Sequence, residues 1–197
     1  LDIKNNLLGV CDQMYLFEPG DDTTVCVLKA VKPKKVKLFT GPPSHKEDDA
    51  KVVHELMTNA DIRIVSGGTT SQIVARELGV EVKSSTEIYD KEVPPIAYIH
   101  GINLVTEGVL TLSKTIDRLK SLSKSLDSNI FKAKDGASQM AKLLYSASHI
   151  KLLVGRSLNI ANAEISFQRD LELRLHVIGE LEKILVKLGK IVTIEYY

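Results

Sequence analysis

Two periods of apolar residues alternate along most of this chain. Short runs rich in β-branched and aliphatic residues, Val36 to Gly41, Ile62 to Ser66, Leu104 to Thr106 and Ile150 to Val154, read as buried strands. Between them apolar positions recur every three or four residues, as in Val53-Leu56-Met57, Ile73-Val74-Leu78 and Val109-Leu112-Ile116-Leu119-Leu122, the spacing of one helix face. The best-defined helix carries Leu171, Leu175, Ile178, Leu181, Leu185 and Leu188, with Gly189 where a C-terminal cap belongs and a final strand from Lys190 to Tyr197. Strands alternating with helices predict an α/β fold: a mostly parallel sheet with helices on both faces, a Rossmann-like three-layer arrangement.

Punctuation residues refine this outline. Gly79 stops the helix through Leu78, and Val80-Glu81-Val82 reads as a short strand. Val93-Pro94-Pro95 fits neither a helix nor a central strand, so 83–95 is an irregular connection. His100 to Asn103 reads as a hairpin turn between Ile96 to Ile99 and Leu104 to Thr106. The polar stretch Lys120 to Ser128 is expected to be exposed and mobile, Asp135 to cap a helix through Ala137, Met140, Ala141, Leu144 and Ala147, and Asn159 to Arg169, which lacks periodicity, to be a long loop.

The stretch Arg63 to Arg76 holds the strongest candidate chemistry. A strand ends in Ser66-Gly67-Gly68 and a helix begins at Thr69-Thr70-Ser71, so glycine backbone, free N–H groups, a helix dipole and hydroxyls coincide. Thr40-Gly41, Thr106-Glu107-Gly108 and Gly155-Arg156-Ser157 likewise follow strands, and in a parallel sheet such turns meet at one edge, where ligands bind. The candidate ligand-binding residues are therefore Ser66, Gly67, Gly68, Thr69, Thr70, Glu107 and Arg156. Arg156 is the expected bidentate partner of an anion, and Glu107 an acceptor for ribose or amine groups. Small residues that let helices pack close to strands are the competing reading.

Composition narrows the classes. The 197 residues are 44% hydrophobic with a net charge of +1, which argues against a nucleic-acid carrier. The basic cluster Lys32, Lys34, Lys35 and Lys37 reads as a solvated linker, and Cys11 and Cys26 as two buried thiols. No apolar run approaches the ~18 residues of a membrane span, so no membrane and a cytoplasmic location are expected; the first residue, Leu1, points to a fragment.

The first thirty residues place helical spacing at Leu7, Leu8, Cys11, Met14 and Tyr15 before Pro19-Gly20-Asp21-Asp22 and an apparent strand from Thr23 to Val31. This order resembles the C-terminal end of the stage II sporulation protein E-type metal-dependent protein phosphatases. From Lys32 onward the Gly-Pro-Pro, Gly-Gly-Thr-Thr and Thr-Glu-Gly-Val segments resemble the additional C-terminal region of some bacterial members. The resemblance implies a phosphatase-domain remnant in 1–31, an α/β domain in 32–197, Asp21 as a ligand for Mg or Mn in the intact phosphatase only, and a phosphoprotein substrate for the parent. No metal and no catalytic set are expected in this fragment, since one carboxylate pair makes no two-metal site. The leading expectation is a non-catalytic regulatory or ligand-sensing module taking a small anion or nucleotide. The alternatives are an enzyme acting on a phosphorylated or nucleotide substrate, with Glu107 as acid or base, and an interaction module using 159–169 and the leucine-rich helix, whose seam also offers a homodimer surface.

Overall fold

In the computed structural model the described residues are 2–18, 20–28, 30–124, 132–157 and 165–197. The chain divides into two compact units, Leu1–Lys32 and Pro33–Tyr197.

The first unit contains helix α1 (Asp2–Met14) and a turn, after which 22–28 takes no regular secondary structure. The strand expected from Thr23 to Val31 does not form there. An extended segment needs a neighbour to accept its backbone hydrogen bonds, and none is paired with it among the described residues. For the same reason Met14, Phe17 and Leu28 lie open, and the thiols expected to be buried are not: Cys11 is half-buried and Cys26 exposed.

The second unit is built on a seven-stranded sheet of β1 (Lys35–Thr40), β2 (Ile62–Ser66), β3 (Lys83–Ser84), β4 (Ala97–Tyr98), β5 (Leu104–Thr106), β6 (His149–Val154) and β7 (Ile191–Tyr196). Their spatial order is β3-β4-β5-β2-β1-β6-β7. Strands β5, β2, β1, β6 and β7 run parallel, while β4 pairs antiparallel with both β5 and β3. The architecture is the expected α/β one, a mostly parallel sheet with helices on both faces. Strand alternation sorts the core into two layers. Val36, Leu38, Ile64 and Leu152 face α4 (Val109–Lys124), α5 (Gly136–Ser146) and α6 (Ile165–Lys187), whereas Phe39, Val65 and Leu153 face α2 (Asp49–Met57) and α3 (Gly68–Leu78).

Caps follow the local chemistry. Gly79 ends α3 in the left-handed conformation at φ 65°, and the Asp135 carboxylate accepts a 2.9 Å hydrogen bond from the Ser138 amide at the start of α5. Three expectations need correction. The short strand forms at Lys83–Ser84, beyond Val80 and Val82, because those two valines pack against the α2–α3 layer. Helix α6 begins at Ile165, so only 159–164 of the expected loop is left, and that piece lies outside the described residues; a helix nucleated on a packed face continues past it without apolar spacing. Lys37 is no linker residue: it sits buried in β1, its ammonium 2.6 Å from Glu55 Oε1. Lys120 to Lys124 continue α4, and 125–128 lies outside the described residues.

Candidate functional site

The site begins with a backbone conformation that only glycine adopts readily. Gly67 has φ 121° and ψ 137°, which turns the chain from β2 directly into α3. Its N–H donates to the Thr106 carbonyl at 2.9 Å, tying the turn to β5, and its carbonyl accepts from the Ser71 amide and from Ser71 Oγ, both at 2.8 Å. The amides of Gly68, Thr69 and Thr70 therefore stand at the open first turn of the helix, where no intrahelical acceptor reaches them.

The turn after β5 is built against the same spot. Ser66 Oγ and Thr106 Oγ1 both donate to the Glu107 carbonyl, at 2.9 and 3.0 Å. This fixes the Glu107 backbone and leaves its exposed carboxylate 4.0 Å from the position a Cβ on Gly68 would take. Gly108, whose carbonyl accepts from the Leu112 amide, starts α4; a Cβ there would sit 3.7 Å from Gly67 Cα. Two helices on opposite faces of the sheet thus begin side by side, with their positive ends at one place.

Between these turns and the end of β1 lies a cleft of about 210 Å³. It is lined by Thr40, Gly41, the Ser66 to Thr70 turn, Glu107 and Arg174. Arg174 reaches it from α6 and donates through Nη1 to the Gly155 carbonyl at 3.1 Å. The guanidinium occupies space that a side chain on Gly41 would take: a Cβ there would lie 2.5 Å from Nη1. Thr40 and Thr70 are 2% and 1% exposed and line the cleft, yet neither hydroxyl has a hydrogen-bond partner among the described residues. Neither oxygen is among the fully enclosed unpaired ones, which are Thr111 Oγ1 and Ser138 Oγ, so both hydroxyls open onto the cleft from otherwise buried residues and can pair with what enters it.

Six of the seven candidate residues, Ser66, Gly67, Gly68, Thr69, Thr70 and Glu107, come together here. Arg156 does not. Its amide donates to the Tyr197 carbonyl at 2.8 Å and its guanidinium lies 5.3 Å from the centre of the Tyr196 ring, because β6 stands beyond β1 and its end turns toward β7. The cation of the cleft is Arg174, which the sequence reading passed over. A signal existed: stepping back from Leu185, Leu181 and Ile178 at helical spacing reaches 174, so an arginine stands where the core stripe calls for an apolar residue.

A second cleft of about 180 Å³ adjoins the first, and the two share Gly68 and Glu107. Its walls mix the polar Ser71, Gln72 and Ser84 with the apolar Val82, Ile96 and Val105. Glu107 is thus the carboxylate common to both chambers.

Away from this edge, Lys37, Glu55, Lys151, Glu195 and Tyr197 form a charge chain across β1, β6 and β7. Lys151 Nζ lies 2.8 Å from Glu55 and 2.6 Å from Glu195, and the Tyr197 hydroxyl donates to Glu195 at 2.8 Å. Hydrogen bonds from Lys151 and then Lys37 hold the Glu55 carboxyl below its usual range, Lys151 and then Tyr197 do the same for Glu195, and burial pushes the Tyr197 phenol up.

Among the described residues no group of three or more His, Cys, Asp or Glu side chains is placed to hold a metal. Asp21 is exposed in the first unit and its carboxylate accepts from the Asp22 amide at 2.8 Å, a turn contact; the described residues bring no further ligands to it, so a divalent ion's ligand set is not made by them. No helix among them is long and apolar enough to cross a membrane. No family model, curated protein or solved structure matches the chain.

Proposed function

We propose that residues 33–197 form a non-catalytic ligand-sensing module that takes a small anionic ligand, such as a phosphate ester or nucleotide, in the cleft at the start of α3. The observation that carries this reading is the pair of hydroxyls that the buried residues Thr40 and Thr70 turn to the cleft, with no partner among the described residues, beside the open amides of α3 and the Arg174 guanidinium. A helix terminus contributes roughly 0.3–1 kcal/mol to an anion, and hydrogen bonds to a charged group about 1.5–3 kcal/mol each. Together these support binding without any nucleophile. No Ser–His–acid or Cys–His arrangement accompanies the cleft among its lining residues, which favours sensing over turnover. The resemblance to stage II sporulation protein E-type phosphatases extends the proposal: the module regulates a metal-dependent phosphatase of which 1–31 is the last part, in which Asp21 serves the Mg or Mn centre.

Thermal-shift titration with inorganic phosphate, nucleotides and phosphosugars tests the binding claim. At least one should raise the melting temperature, and Gly68→Val, which fills the mouth of the turn, should remove the shift. Arg174→Lys should weaken it, since the planar fork is lost while the charge remains. A shift unchanged by both substitutions would remove the cleft from consideration.

A further inference from the structure

Resting on that reading, we propose that the two chambers meeting at Glu107 form one bipartite site, and that its ligand is a phosphomonoester of a hydroxylated ring: phosphate in the Thr40–Thr70–Arg174 chamber, ring hydroxyls on Glu107, and ring in the chamber beyond.

The argument starts from a conflict of charge. The first chamber offers donors to an anion, namely the α3 amides, two unpartnered hydroxyls and Arg174, but Glu107 stands at its side as a carboxylate. A carboxylate only accepts hydrogen bonds when ionised, so toward a bare phosphate it is repulsive. Toward a ligand whose phosphate is followed by hydroxyl groups it becomes an acceptor, and the same charge that disfavours the free anion orients the ester. The backbone of Glu107 is held by two side-chain hydrogen bonds, from Ser66 and Thr106, so this carboxylate is anchored at the boundary.

The second chamber supplies the other half. At about 180 Å³ it compares with cavities of ~150 Å³ that accept a single six-membered ring. Its apolar surfaces, Val82, Ile96 and Val105, suit ring faces, while Ser71, Gln72 and Ser84 bring polar groups to the edge. Gly68 lies on both chambers and presents no side chain between them, so a ligand can pass over its backbone from one to the other.

Calorimetric titration of the 197-residue chain with potassium phosphate, adenosine monophosphate and glucose 6-phosphate tests this against wild type and Glu107→Gln. The exposed position of Glu107 keeps the substitution neutral for folding. One of the two ring esters should bind at least about tenfold more tightly than phosphate, and which one does so distinguishes a nucleoside from a sugar source. Glu107→Gln should reverse sign between ligands: a few-fold gain for phosphate as repulsion is lifted, and about a tenfold loss for the preferred ester. Gln72→Ala should weaken the ester and leave phosphate unchanged. Phosphate binding with no preference for either ester, or a gain for all three ligands in Glu107→Gln, would overturn the bipartite site while leaving the anion site standing. Absence of binding by all three to both proteins would overturn the anion reading beneath it, and this proposal with it.

Discussion

Two glycine turns on the same edge of the sheet invite comparison: Gly67-Gly68 after β2 and Gly155 after β6. Each follows a buried parallel strand, and from sequence each qualifies as a place where backbone approaches a ligand. What a side chain would meet separates them. At Gly68 the nearest atom to an added Cβ is a Glu107 carboxylate oxygen at 4.0 Å, whereas a Cβ on Gly155 would collide with the carbonyls of Gly41 and Pro42. The Gly155 turn is also sewn shut, its amide donating to Thr40 and the Ser157 amide to Pro42. One glycine leaves room in front of it, and the other exists because another stretch of backbone already fills that room.

The largest test of this contrast is Gly155→Ala. Forcing a methyl into two carbonyl groups should cost about 3 kcal/mol, a melting temperature roughly 6–12 °C lower, measured by thermal denaturation. Gly67→Ala should come next, at about 1–3 kcal/mol, since alanine resists φ 121° and its Cβ would stand 3.0 Å from Thr70 Oγ1. Glu55→Ala provides a calibration away from the edge: it leaves buried Lys37 without its carboxylate and should cost about 1–2 kcal/mol by denaturant unfolding. Gly68→Ala should change stability by no more than about 0.5 kcal/mol. Its effect belongs to ligand binding, and a stability loss as large as that of Gly155→Ala would erase the distinction between the turns.

The charge chain gives the smallest effect and has a definite sign. The carboxyls of Glu55 and Glu195 are held below their usual range in the folded state, so their contribution is complete above the unfolded glutamate pKa of about 4.3 and disappears as pH falls through the lower folded values. Both groups are partly exposed, and solvent screening keeps the contribution modest. The stability difference between wild type and Glu55→Gln, followed by denaturant unfolding from pH 7 to pH 3, should therefore narrow only below about pH 4. A constant difference over that range would assign the loss to packing.

Much of this molecule was legible beforehand, for identifiable reasons. The runs at Val36, Ile62, Leu104 and Ile150 are long and apolar enough to define strands, and Gly79 and Asp135 are caps whose chemistry acts within a few residues. What sequence does not carry is lateral strand order. Arg156 looked like the cation of the cleft because it follows a strand, but whether two strand ends face one another depends on which strands are neighbours. With β1 lying between β2 and β6, the end of β6 turns toward β7, and the cation comes from α6. Residues 23–28 form no strand for a related reason: β propensity in one segment becomes a strand only when another segment pairs with it.

The ladder of Lys37, Glu55, Lys151 and Glu195 also bears on what this protein avoids. Along β6 and β7, on the face that carries α2 and α3, Ile191 and Thr193 are exposed, so this end of the sheet meets water directly, beside an edge strand. A bare pleated surface invites a second sheet to stack on it, and an edge invites a further strand. Here any such neighbour would have to strip water from an alternating row of ammonium and carboxylate groups already satisfied by one another, gaining no new partner in return. The row sums to nearly zero charge and so repels nothing at a distance. Its protection operates only at contact, where the paired charges hold their water against a sheet that would stack on them.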